Sequence, residues 1–132
     1  MRRKKYKILL VEDAKIAQAM AIITLNELHC DVNIASNGIE AIEQIKKTIY
    51  DIVFMDLGLP DMDGFSTTEK IRKHEKTTNL KRTPIIALTS HEGEHIEITC
   101  HDHDMDDFLV KPLTEKKALS MLKKYVLRKK SN

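Results

Sequence analysis

The sequence predicts an α/β fold, a doubly wound parallel sheet of five strands with five helices on its two faces. Three observations predict it. Short, nearly uninterrupted apolar runs, the pattern of strands covered on both sides, recur at residues 7–11, 52–55, 84–88 and 108–110. Segments with apolar residues at helical spacing separate them. Strand and helix then alternate five times without a long structureless loop, the order that right-handed crossovers make into a parallel sheet.

The first strand, residues 7–11, runs into Glu12-Asp13, adjacent acids that would also suit the positive end of a helix. From 14 to 28, Ile16, Ala17, Met20, Ala21, Ile23, Leu25 and Leu28 recur at helical spacing, with Lys15, Gln18, Asn26 and Glu27 marking the wet side. Residues 32–35 partly alternate, which places that strand at a sheet edge. Asn37 with Glu40 three residues on is a capping arrangement, and the helix it opens presents Ile39, Ala41, Ile42 and Ile45.

The central strand carries Asp56 to its C-terminal end, followed by the turn residues Gly58, Pro60 and Asp61. Asp63-Gly64 opens a helix to about His74, and residues 75–83 read as a polar, mobile loop. The fourth strand ends at Thr89-Ser90, a weakly amphipathic segment fills 92–103, and the last strand ends at Lys111-Pro112. Thr114 caps a closing helix that turns Ala118, Leu119, Met121, Leu122, Tyr125 and Val126 to the sheet.

A chain of 132 residues is long enough for one domain with a real core. Residues 7–127 form that domain, between basic tails at 1–6 and 128–132. The net charge of +2 comes from the tails: Arg2, Arg3, Lys4, Lys5, Arg128, Lys129 and Lys130 leave an acidic body behind them. No aromatic residues interleave with these charges, so they read as solvated ends and not as a nucleic-acid patch. No apolar run has the length of a membrane span and no signal peptide is present, so a cytoplasmic protein without membrane contact is expected. Cys30 and Cys100 lack metal or redox spacing and read as reduced thiols.

In a parallel sheet the strand C-termini share one edge, where open α/β sheets place their sites. Glu12, Asp13, Asp56, Thr89 and Lys111 therefore become neighbours. Crowded carboxylates repel unless a cation joins them, and oxygen-only ligands suit Mg²⁺. A hydroxyl and an ammonium opposite such a cluster suit a phosphoryl group, with a carboxylate as nucleophile. Neither GxGxxG nor GxxxxGK[ST] occurs, so the donor is another protein or a small acyl or phosphoramidate compound and not bound ATP.

The pattern resembles the receiver domain of two-component phosphorelays. It is carried by Ile8 to Asp13, Asn37 to Ala41, Phe54 to Asp56, Pro60 to Gly64, Pro84 to Thr89 and Met105 to Leu113. The wording around Ile71-Arg72, Thr83 to Thr89, Cys100 and Met105 to Phe108 is most similar to receivers of hybrid sensor histidine kinases. The resemblance implies a flavodoxin-like sheet in the order 2-1-3-4-5. It implies that Asp56 accepts a phosphoryl group from a partner's phosphohistidine, with the chain catalysing its own aspartyl phosphorylation and dephosphorylation. Mg²⁺, for which Mn²⁺ substitutes, would be held by Glu12, Asp13, Asp56 and the carbonyl of Gly58. Thr89 and Lys111 would take phosphoryl oxygens, and Thr89 with Phe108 would form a switch relying on packing alone. Gly58 and His91 would tune the lifetime of the phosphorylated form. Pro112 would follow a cis bond, and Asp104, where such receivers usually have a Gly that readily takes positive φ, would bring local irregularity without loss of function. The implied partners are a histidine kinase or histidine phosphotransfer domain, docking on Ala14, Lys15, Gln18 and Leu113, and a second copy through the face of the fourth helix, fifth strand and fifth helix. The parent would be a hybrid kinase, the chain then being the cytoplasmic part of a membrane-bound protein; the alternative is a free-standing regulator.

Three other readings compete. His91, His95, His101 and His103 with Cys100 and Asp102 suggest a transition-metal site, against a plain polar helix. An Asp-nucleophile phosphatase would want an acid two residues after the nucleophile, where Gly58 stands. A phosphorylation-independent interaction module would not need all five site residues.

Overall fold

The computed structural model describes residues 6–90 and 94–127. The predicted basic ends at 1–5 and 128–132, and His91, lie outside the described residues. The chain runs β1 (Tyr6–Val11), α1 (Lys15–Glu27), β2 (Cys30–Ala35), α2 (Gly38–Lys47), β3 (Ile52–Asp56), α3 (Gly64–Thr77), β4 (Ile85–Thr89), α4 (Glu94–Asp102), β5 (Asp107–Val110) and α5 (Glu115–Leu122), closing on a π-helical turn, Lys123–Leu127. All strand pairs are parallel, in the order β2-β1-β3-β4-β5, as expected. Tyr6, assigned to the tail, is the first residue of β1.

Alternation along the central strands splits the core into two layers. Ile8, Leu10, Ile52, Phe54, Ile86 and Leu88 pack with Ala21 and Leu25 of α1 and Ala118 and Leu122 of α5. Leu9, Val11, Val53, Met55, Ile85 and Ala87 pack with Ala41 and Ile45 of α2, Ile71 of α3 and Cys100 of α4. Asn37, Asp63 and Thr114 cap α2, α3 and α5, each side chain accepting an N–H of the first turn. Asp104 takes φ 68°, a local irregularity of the kind expected, while its carbonyl accepts from Arg72 Nε at 3.0 Å and an Arg82 guanidinium nitrogen at 3.1 Å.

Three expectations are corrected. Gln18 is not on the wet side but 8% exposed, because its amide donates to the Glu12 carbonyl at 2.6 Å and to Ser36 Oγ at 3.1 Å. Conversely Ile16, Met20 and Ile23 of α1 stand 77%, 57% and 64% exposed, since Ala21 and Leu25 already fill that helix's contact with the sheet. Residues 75–83 are not a simple polar loop. Glu75 belongs to α3 and is buried against Arg72 at 2.9 Å, its other oxygen accepting the Thr83 N–H. Arg72 also donates to the Thr83 carbonyl and to Asp106 at 2.8 Å each, fastening both loops that lead into β4 and β5.

Candidate functional site

Parallel strands deliver their last residues to one rim, and here the register aligns them closely. Val11 pairs with Met55, Asp56 with Leu88, and Thr89 with Val110. Glu12 and Asp13 thus follow β1, Asp56 ends β3, Thr89 ends β4 and Lys111 follows β5 along a single edge. Carboxylate oxygens of Glu12, Asp13 and Asp56 all lie within 4.8 Å of one another. The Lys111 ammonium bridges two of them, 3.0 Å from Glu12 Oε1 and 3.2 Å from Asp56 Oδ2.

Charge and burial compete here. Glu12 is 3% exposed, and that desolvation, with the Asp56 charge added, lifts its carboxyl above the usual range despite hydrogen bonds from Lys111 and the Ala14 N–H. Burial opposes the charge on Lys111, but the Glu12 hydrogen bond and the charges of Asp56 and Glu12 outweigh it and hold the ammonium above its ordinary value. Three acids face one ammonium, so the pocket lacks positive charge. Hard oxygen donors of this number fit a divalent cation that keeps several waters.

The remaining predicted residues fall around this cluster. Asp56 and Thr89 are both buried, and the Thr89 carbonyl accepts the Lys111 N–H at 2.8 Å. The Gly58 N–H donates to Asp56 Oδ1 at 3.1 Å; a Cβ built there would meet nothing nearer than that same oxygen, at 4.0 Å, which leaves the mouth open. Phe108 is half-buried against the layer containing Ala87 and Met105. The Lys111–Pro112 bond is cis, as expected. Of the expected docking residues, Ala14 and Lys15 are exposed and Leu113 is half-buried, but Gln18 is not available.

Two residues have roles here that the sequence reading did not give them. Gln18 ties the Glu12 backbone to Ser36 and so fixes the acidic dipeptide from behind. Asp61 reaches from the loop after Asp56 to the start of α2, accepting the Gly38 and Ile39 N–H groups at 2.8 and 2.9 Å. The slight burial of its carboxyl works against its charge, but these N–H groups outweigh it and hold the acid below its usual range. An Asp five residues after a strand-end acid, with a helix start elsewhere in reach, is the only signal the sequence offers for it.

The histidine metal reading finds no support. Among the described residues, Glu12, Asp13 and Asp56 are the only set of three close enough to share an ion; His95, His101 and His103 join none. His103 Nδ1 instead lies 2.6 Å from Glu69, its ring 4.7 Å from that of Phe65. Cys100 is buried, which pushes its thiol up to about 11.

Comparison with known proteins points one way. Residues 8–123 match the family model described as the response regulator receiver domain. The chain is 35% identical over 122 residues to hybrid signal transduction histidine kinase L of Dictyostelium discoideum, covering 90% of this chain and 7% of that protein. The receiver domain of sensor histidine kinase PA1611 from Pseudomonas aeruginosa, solved with a magnesium ion coordinated in its active-site cleft, is 33% identical, with 91% and 96% of the chains covered and a TM-score of 0.80. The receiver domain of Ssk1 from Saccharomyces cerevisiae, solved with the histidine phosphotransfer protein Ypd1, is 25% identical, with 98% and 94% covered and a TM-score of 0.89. The curated relatives include hybrid kinases and transcription factors, and the chain spans 7% to 22% of their length.

Proposed function

The chain belongs to the response regulator receiver family of two-component phosphorelays, and from that premise we propose that Asp56 is the phosphoacceptor of a Mg²⁺-dependent site. One observation carries the reading: the Lys111 ammonium sits between Asp56 and Glu12 while Asp13 completes a triad of carboxylates. The Asp56 carboxylate attacks the phosphorus of a partner's phosphohistidine, forming the acyl phosphate as the P–N bond breaks and the imidazole leaves. Glu12, Asp13, Asp56 and the Gly58 carbonyl would hold Mg²⁺ or Mn²⁺, which supplies the charge neutralisation that in-line transfer needs. Lys111 and the Thr89 hydroxyl take oxygens of the arriving group. Movement of Thr89 then frees room for Phe108, which carries the change to α4, β5 and α5, the face a second copy would use. Gly58 and His91 set how readily water reaches the acyl phosphate.

The donor is a histidine kinase or histidine phosphotransfer domain, and α1 offers it a surface. Ile16, Met20 and Ile23 form an exposed apolar stripe, the kind of patch that marks a protein contact. Met20 also lines, with Leu113 and Pro112, a cleft of about 130 Å³ that reaches Lys111. We place the parent among hybrid histidine kinases, supported by the likeness to kinases of that type.

The test is intact mass after incubation with Mg²⁺ and acetyl phosphate. One added phosphoryl group, labile to base, absent in Asp56→Asn and lost with chelator, is expected. Equal labelling of Asp56→Asn overturns the assignment.

A further inference from the structure

Helix α5 opens on a capping threonine but breaks the capping-box rule at its third position. Thr114 is its N-cap, its hydroxyl accepting the Lys117 N–H at 3.2 Å. The third helical position, Lys117, is where a capping box would carry Glu or Gln to reach back to the cap. A cation there also faces the positive end of the helix dipole. Where a local rule is broken, a compensating contact is expected, and the structure contains one. Lys117 Nζ donates to the Val110 carbonyl at 2.6 Å and to the Pro112 carbonyl at 3.3 Å.

Those two carbonyls flank Lys111. The Lys111 N–H is turned toward β4, where it meets the Thr89 carbonyl at 2.8 Å. Strand alternation therefore turns the Val110 carbonyl the other way, off the outer edge of the sheet, because β5 is the last strand. Lys117 takes that acceptor and, with the same ammonium, the carbonyl just beyond Lys111. The backbone bearing the site's ammonium is thus held from both sides, by β4 and by the first turn of α5.

We propose that Lys117 is a positioning residue, which sets the Lys111 ammonium between Asp56 and Glu12 by clamping the carbonyls of Val110 and Pro112. The inference rests on the phosphoacceptor reading above and assigns Lys117 no contact with the reacting atoms.

Lys117→Glu separates positioning from stability. It restores the capping box and the favourable charge at the helix start, so the thermal midpoint should hold or rise. With the clamp gone, the initial rate of Mg²⁺-dependent phosphorylation by acetyl phosphate should fall roughly 10-fold, in keeping with the cost of a misplaced catalytic group. Lys117→Arg, which can donate to both carbonyls, should recover most of the rate. Lys117→Gln, a milder change, should fall in the same direction as Lys117→Glu. In a Lys111→Met background, Lys117→Glu should cost nothing further. The proposal is overturned if Lys117→Glu stays within about 2-fold of the parent while Lys111→Met is slow, or if its cost persists undiminished without Lys111. Should Lys111→Met itself match the parent, the phosphoacceptor reading falls first and this one with it.

Discussion

Removing the exposed acid of the triad should stabilise the protein while weakening its metal response. Carboxylate oxygens of Glu12, Asp13 and Asp56 lie within 4.8 Å of one another, and among these three acids the Lys111 ammonium pairs with Glu12 and Asp56. Two unit charges at that separation repel by about 1 kcal/mol in water and about 3.5 kcal/mol at an effective dielectric near 20. Asp13 is exposed, which favours the lower figure, and the Lys111 charge cancels part of the repulsion from its neighbours. Asp13→Asn should therefore gain about 1 kcal/mol without divalent cation, or roughly 3–5 °C for a domain of this size. The parent should gain stability from millimolar Mg²⁺ by linkage, and Asp13→Asn far less. Thermal melts of both proteins, in chelator and in Mg²⁺, read all four values. An Asp13→Asn protein that melts lower than the parent in chelator, or a parent indifferent to Mg²⁺, would show that the three acids do not repel and share no ion.

Two further outcomes follow from buried or clamped charges. Arg72→Met removes donors to Glu75, Asp106 and the carbonyls of Thr83 and Asp104, stranding the buried Glu75; a loss of about 3–5 kcal/mol in urea unfolding is expected, and Arg72→Met/Glu75→Met should recover part of it. Asp61 has a carboxyl held below the usual carboxylate range, so its contribution is complete above that range and is lost as pH falls through the lower folded value; urea unfolding of Asp61→Asn should show a smaller stability drop between neutral pH and pH near 3 than the parent.

The strands and their order of appearance were readable because residues 8–11, 52–55 and 85–88 are buried on both faces, and a strand so placed can hardly carry polar residues. The site was readable for a related reason, since polar residues could appear only where those strands stop. What escaped reading were contacts that depend on backbone groups contributed by remote segments. Gln18 resembles any solvated glutamine until the Glu12 carbonyl is placed beside it, and Asp61 resembles a turn residue until α2 starts in front of it. Arg72 and Glu75, spaced as an ordinary surface pair, are buried only because Asp106 and the loop before β4 close over them. Ile16, Met20 and Ile23 show the converse limit: helical periodicity is the same whether an apolar face meets its own sheet or another protein. Lys117 left a trace of its own, a lysine where a capping glutamate would stand.

The central claim is that acids and amine from separate strand ends form one phosphoacceptor pocket centred on Asp56. Reductive trapping of the acyl phosphate with borohydride after Mg²⁺ and acetyl phosphate treatment, followed by peptide mass spectrometry, tests it most directly. A single converted residue, Asp56, is expected, with none when chelator replaces Mg²⁺. Conversion at Glu12 or Asp13 instead, or equal conversion in chelator, would contradict it.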